Sequence, residues 1–129
     1  MKKYSSLITF LYYKDFQKAK MVYEDILELE LVMDQGFAKV YKINDNAFVG
    51  CVKKHEGSID STNRGGALIS LTVDDVEDLY NQFKGYDLPY ISELSIIERI
   101  PLKSFFFKDF EGYDFEIQEF IKKEDKELF

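Results

Sequence analysis

The residues best placed by type and spacing to do chemistry lie near the end of the chain. Asp114, Glu116 and Gln118 alternate with Tyr113, Phe115 and Ile117. A period of two predicts a strand with one apolar face and one face carrying two acids and an amide. A carboxylate beside aromatic rings suits a cationic or hydrogen-bond-donating ligand, and it can also act as a general base. Glu116 is the candidate for that second role. Other reactive groups are scarce. The chain has one histidine, His55, in a polar stretch, and one cysteine, Cys51, within an apolar run. Cys51 reads as a small core residue, since no histidine is placed to activate it and no Ser-His-Asp set can be built. His55 reads as an exposed loop residue. A single cysteine excludes an intrachain disulfide. Gly65-Gly66 is too short for a phosphate-binding signature.

The elements that must position Glu116 follow from the same reading. Phe105-Phe106-Phe107 predicts a strand, Asp109 to Gly112 a tight turn, and Tyr113 to Gln118 the returning strand. Earlier in the chain, Leu7 to Tyr13 predicts a strand. Asp15 predicts a helix N-cap, followed by Phe16, Ala19, Val22, Tyr23, Ile26 and Leu27 at helical spacing. Strands are expected over Glu30 to Met33, Ala38 to Ile43 and Ala47 to Val52, with Asn44-Asp45-Asn46 as a hairpin turn. Lys54 to Gly66 is polar and reads as a linker.

The order then repeats. Ala67 to Val73 predicts a strand, and Asp74 or Asp75 caps a helix with Val76, Leu79, Tyr80 and Phe83 on its apolar stripe, ending near Gly85. Leu88 to Ile91 and Ile96 to Ile100 predict short strands ahead of the aromatic hairpin. Two strand-helix-strand-strand-strand modules are therefore expected, about 5–53 and 67–120, joined by a linker, about 54–66, in a single α+β domain spanning 1–129. The charged run after residue 120 reads as a solvated helix end or fraying tail.

Composition bounds the function. The chain has 129 residues, 46% of them hydrophobic, with 12 Phe and 9 Tyr, enough for a real core. A net charge of −7 disfavours nucleic acid or an anionic membrane as partner. No apolar run approaches the roughly 20 residues needed to cross a bilayer. Met1-Lys2-Lys3 is basic, but Tyr12, Tyr13, Lys14 and Asp15 soon interrupt the apolar stretch, so a signal peptide is not expected. A soluble cytoplasmic protein is the expectation.

On these motifs the chain resembles the vicinal-oxygen-chelate superfamily, the glyoxalase, bleomycin-resistance and extradiol-dioxygenase group. Tyr13-Lys14-Asp15-Phe16 with Ala19, Tyr23, Asp25, Ile26 and Leu27 looks like that family's opening strand and helix. Thr72 to Tyr80 looks like its second helix. Ser104 to Gly112 looks like its late hairpin, with Phe110 where proline is usual. The resemblance runs from about Leu7 to Phe120. It implies an open, curved, mixed sheet whose concave face holds the site. Metal-using members take their first ligand from the opening strand of each module, usually a histidine. Here those places hold Ile8 and Leu68, which have no donor atom. The counterpart of Glu116 in the first module falls near Gly50 or Cys51. Glu116 alone remains, so neither metal nor other cofactor is expected.

The implied register assigns faces. Ile8, Phe10 and Tyr12 share the concave side with Leu68, Ser70 and Thr72, and with Asp114, Glu116 and Gln118 on one wall. Leu7, Thr9, Leu11 and Tyr13, and Ile69, Leu71 and Val73, face the helices. Such walls fit a small-molecule site. Three readings stay open: a metal-independent protein binding a small aromatic or cationic molecule; a lyase, isomerase or epimerase with Glu116 as base; or a fold whose apolar face serves mainly a homodimer, with Glu116 paired to Arg99 or Lys103. Elemental analysis of the purified protein checks the metal expectation. About one zinc, nickel, manganese or iron per chain, lost on Glu116→Ala, would overturn it.

Overall fold

The opening apolar run forms strand β1 (Leu7–Tyr13), and β2 (Glu30–Asp34), β3 (Ala38–Asn44) and β4 (Ala47–Lys53) follow. They lie in the order β1-β4-β3-β2, with β1 parallel to β4 and the other pairs antiparallel. The second half repeats this path. β5 (Leu68–Thr72), β8 (Leu102–Lys108) and β9 (Asp114–Phe120) give the order β5-β9-β8, again closed by a parallel pair, β5 with β9. The structure is a computed structural model describing residues 2–58 and 67–129, and it divides into two units, Met1–Arg64 and Gly65–Phe129. The expected linker residues Ser61, Thr62, Asn63, Gly65 and Gly66 lie outside the described residues.

In each unit one sheet face is buried under a helix that an aspartate starts. Asp15 Oδ1 accepts from Lys18 N–H at 3.1 Å and opens α1 (Phe16–Met21). Asp75, not Asp74, caps α2 (Val76–Phe83) by accepting from Asp78 N–H at 3.1 Å. The first helix departs from the simple periodic expectation. After Met21 it widens into a π-helical turn over Val22–Ile26, with Leu27 N–H donating to Val22 O at 2.8 Å. The wider turn lets two consecutive residues reach β3. Tyr23 lies with its ring centroid 5.2 Å from that of Tyr41, and Glu24 accepts from the Tyr41 hydroxyl at 2.6 Å. The Tyr13 ring meets Tyr23 edge-on at 6.0 Å, and their hydroxyls hydrogen-bond at 2.5 Å. Leu11 and Tyr13 are buried as expected, but Leu7 is 66% exposed, because it starts the strand beyond the reach of so short a helix.

The second core is aromatic. Phe83 packs edge-on to Phe105 and Phe107, both at 5.5 Å, and Phe107 stacks on Phe115 at 4.8 Å. Val76 N–H donates to the Glu119 carboxylate, and Lys103 pairs with Glu77 at 3.1 Å, so two contacts tie the start of α2 to the sheet. The Glu77 hydrogen bond raises the pKa of Lys103 above its usual value.

Two matching turns set the hairpins. Asn44 Oδ1 accepts from Asn46 and Ala47 N–H, both at 3.0 Å. Asp109 Oδ1 accepts from Glu111 N–H at 3.0 Å and Tyr113 N–H at 2.9 Å, and Gly112 takes a φ of +89°. The outer edge of the second sheet is shorter than expected. β6 (Tyr90–Ile91) and β7 (Ser95–Ile97) both pair with β8. Ser92 breaks the ladder between them, because its hydroxyl accepts from Phe106 N–H at 2.8 Å. The strand expected to reach Ile100 stops at Ile97, since Ile97 already pairs with Leu102 and the intervening residues must turn. The charged tail forms one short helix, α3 (Lys123–Lys126), and Phe129 beyond it stacks on Phe120 at 5.1 Å. No helix among the described residues is long and apolar enough to cross a membrane.

Register also resolves the counterpart of Glu116. Phe10 pairs with Gly50 as Ser70 pairs with Glu116. The Phe10 ring covers Gly50, where an added Cβ would sit 2.5 Å from Phe10 Cδ1 and 3.2 Å from Lys39 O. Gly50→Ala should therefore destabilise the protein by about 1–2 kcal/mol. Denaturant unfolding of Gly50→Ala, Phe10→Ala and the double variant checks this: the double should cost less than the sum, and strict additivity would disprove the contact.

Candidate functional site

The face of the second sheet opposite α2 carries its side chains in rows, because paired strands hold facing residues about 5 Å apart. The first row is Leu68, Asp114, Lys108 and Tyr90, one residue from each of β5, β9, β8 and β6. The second is Ser70, Glu116 and Phe106. The third is Thr72, Gln118, Ser104 and Ser95. The six expected residues of the second module thus share one face, in the register read from the alternation. Ile8, Phe10 and Tyr12 likewise share one face of the first sheet, opposite Phe48, Gly50 and Val52. They differ in exposure: Ile8 and Phe10 are 43% and 45% exposed, whereas Tyr12 is buried against Ala38 and Val52 and closely approached by Gly57.

An open groove of ≈ 590 Å³ runs over the first row, lined by Ala67, Leu68, Tyr90, Phe106, Lys108 and Asp114. Its middle is polar, with Lys108 Nζ 2.5 Å from Asp114 Oδ1. Its ends are apolar, with Leu68 and Tyr90 each 48% exposed. Glu116 stands one row in, only 8% exposed, and accepts from Ser70 Oγ at 2.8 Å. Lys103 does not reach it, since Lys103 faces Glu119 in the register and points to the α2 side, where it holds Glu77. Ser104 Oγ is fully buried on the Glu116 face and makes no hydrogen bond among the described residues. At the far end Thr72 lines a smaller cavity of ≈ 70 Å³ with Val73, Asp74, Phe120, Lys126 and Phe129.

Lys108, Phe106, Tyr90 and Ser104 were not among the residues expected from sequence. Three of them carried a usable signal. The Asp109–Gly112 turn sets Lys108 opposite Asp114, and parity along β8 then puts Phe106 and Ser104 on the same face. Tyr90 carried none, because a two-residue strand has no period to read.

The donor set does not fit the divalent ion that the resemblance implies. Ile8, Gly50 and Leu68 offer no side-chain donor, which leaves Glu116 alone, and no group of three His, Cys, Asp or Glu among the described residues is placed to hold a metal. The remaining reactive types lie elsewhere. His55 is an exposed turn residue with φ +73°. Cys51 is fully buried on the α1 side of the first sheet, and burial pushes its thiol pKa up to about 11, so it is a poor nucleophile. Burial, and after it the hydrogen bond to Glu24, raises the Tyr41 hydroxyl far above the usual tyrosine range.

No protein-family model and no curated protein matches the chain. Solved structures do. The chain is similar to a lactoylglutathione lyase from Agrobacterium tumefaciens, with a TM-score of 0.73, 20% identity, and 92% of this chain and 95% of that one covered. It is similar to the fosfomycin resistance protein FosX from Listeria monocytogenes, with a TM-score of 0.74, 16% identity and 98% of each chain covered. It is also similar to a glyoxalase/bleomycin resistance protein from Catenulispora acidiphila, with a TM-score of 0.67, 16% identity, and 90% and 98% covered. At such identities the likeness carries the fold and not the activity.

The orphaned hydroxyl gives a prediction. Burying an unpaired hydroxyl costs about 1–3 kcal/mol, so Ser104→Ala should leave stability unchanged or raise it, by up to about 1 kcal/mol. Thermal and denaturant unfolding measure it, and a loss above about 1 kcal/mol would mean the hydroxyl has a partner.

Proposed function

The chain has the vicinal-oxygen-chelate fold, and on that premise we propose that it is a metal-independent protein that binds a small aromatic or cationic molecule in the groove of its second sheet. The observation that carries this reading is the first row. Leu68, Asp114, Lys108 and Tyr90 put an ion pair between two apolar ends, above Phe106. Apolar walls with a few fixed polar groups are what orient a small ligand. Thermal-shift screening of aromatic amines and neutral aromatics tests the reading. Hits that are lost in Tyr90→Ala and Phe106→Ala support it; an absence of hits across the library sinks it.

A second reading, an isomerase, epimerase or lyase with Glu116 as base, draws on one fact. Glu116 is buried beside Phe106 with the Ser70 hydroxyl holding one of its oxygens. Turnover of a bound compound that Glu116→Gln abolishes would favour it over simple binding.

Homodimerisation completes the proposal. Ile8 and Phe10 on the first sheet, and Leu68 on the second, are each more than 40% exposed, and exposed apolar surface on a sheet face marks an interaction site. The charge of −7 opposes association only weakly at physiological salt, where the screening length is about 8 Å. Light scattering at micromolar concentration should give twice the 15.2 kDa chain mass, and the monomer mass would refute the dimer.

A further inference from the structure

We propose that the groove selects an organic monocation, with Glu116 as its counter-ion and Lys108 as the residue that limits the ligand to one positive charge. The inference rests on the binding reading above and narrows its ligand class. It starts from a count of charge. Among the described residues, three carboxylate or amine side chains stand on this face in and beside the groove: Asp114, Glu116 and Lys108. Lys108 is already engaged by Asp114, and these two half-exposed groups cancel. Glu116 is left as the uncompensated charge. It is 8% exposed, and among the described residues its partner is the neutral hydroxyl of Ser70. A carboxylate so far withdrawn from water calls for a cation.

Among the described residues, no side chain of this unit's face supplies that cation. Lys103 lies on the opposite face, bonded to Glu77, and Lys126 lies near Glu119 at 3.9 Å. A ligand can. Rows on one face of a strand are about 7 Å apart, so a molecule in the first row reaches the second with a one- or two-atom arm. Phe106, in the same row as Glu116, lines the groove and faces Glu116 across the β8–β9 pair. An ammonium over that ring gains a cation–π contact as well as the carboxylate. On the same face the fully buried Ser104 hydroxyl also has no hydrogen-bond partner among the described residues.

Lys108 then acts as a specificity-determining residue. With Lys108 in place the face carries a net charge of minus one and matches a monocation. Without it, Asp114 is released, and the same groove matches a dication.

Four probes of one shape test this: naphthylmethylammonium, naphthylmethanol, naphthoate, and a naphthalene with two methylammonium arms. Calorimetry on the full chain gives their affinities, and amide chemical-shift changes over β8 and β9 locate them. Naphthylmethylammonium should bind about tenfold or more tighter than the alcohol, equivalent to about 1.4 kcal/mol, and naphthoate weakest. Glu116→Gln keeps the side-chain shape and an oxygen for the Ser70 bond, and it should erase the preference for the ammonium over the alcohol. Lys108→Met should move the optimum to the dication. If the alcohol matches the ammonium in the native protein, or either variant leaves the ranking unchanged, the charge assignment is wrong although the groove still binds. If no probe binds at the groove, the binding reading itself fails and takes this inference with it.

Discussion

The hydrogen bonding of the first strand of each module to its last is the constraint on which the rest depends. β1 with β4, and β5 with β9, are parallel pairs between segments that the helix and intervening strands separate in sequence. A parallel pair cannot close through a short turn, so in each module the pairing spans the helix and the intervening strands. The loop-closure entropy is offset only when the helix face is buried at the same time, by the tyrosines in the first unit and the phenylalanines in the second. The same pairing puts Ser70 beside Glu116, residues 46 apart in sequence. The arrangement of the site is therefore a by-product of how the module closes, and no loop has to be positioned to create it.

The turns supply the second constraint. A slip of one residue between β8 and β9 would carry Glu116 to the α2 side and Phe115 or Ile117 to the groove side. Asp109 prevents it locally. Its carboxylate holds two backbone N–H groups across the turn, and Gly112 takes the left-handed conformation that few other residues adopt cheaply. Asn44 performs the same service in the first module with an amide in place of the acid. The identity of a turn residue thus decides which side chains line the groove far from it.

Much of this was legible in the residues. Helix caps at Asp15 and Asp75, the alternation through Asp114–Gln118 and the turn after Lys108 each have a local cause, and local causes can be read from a single chain. The repeat was legible because both modules use the same signals in the same order. What escaped was either non-local or too short. The π-helical turn exists because Tyr23 and Glu24 both reach Tyr41, a contact across sequence that no helical period encodes. The broken edge at Ser92 depends on a hydroxyl taking a backbone acceptor's place on β8. Tyr90 belongs to the groove only because of that short edge strand. Glu116 was picked out from its alternation, but that Lys103 does not pair with it needed the knowledge of which face Lys103 takes.

The Phe10–Gly50 contact bears on how the two modules can change. At matched places one module holds Ser70 beside a carboxylate, and the other holds an aromatic ring laid over bare backbone. That ring fills the space that any side chain at position 50 would need, so the two positions are epistatic. An acid introduced at position 50 must displace that ring, which costs stability while the ring remains. A smaller residue at position 10 uncovers the backbone at once, whatever follows at position 50. A change at position 10 therefore lowers the cost of an acid at position 50, and sterics favour the asymmetry between the modules.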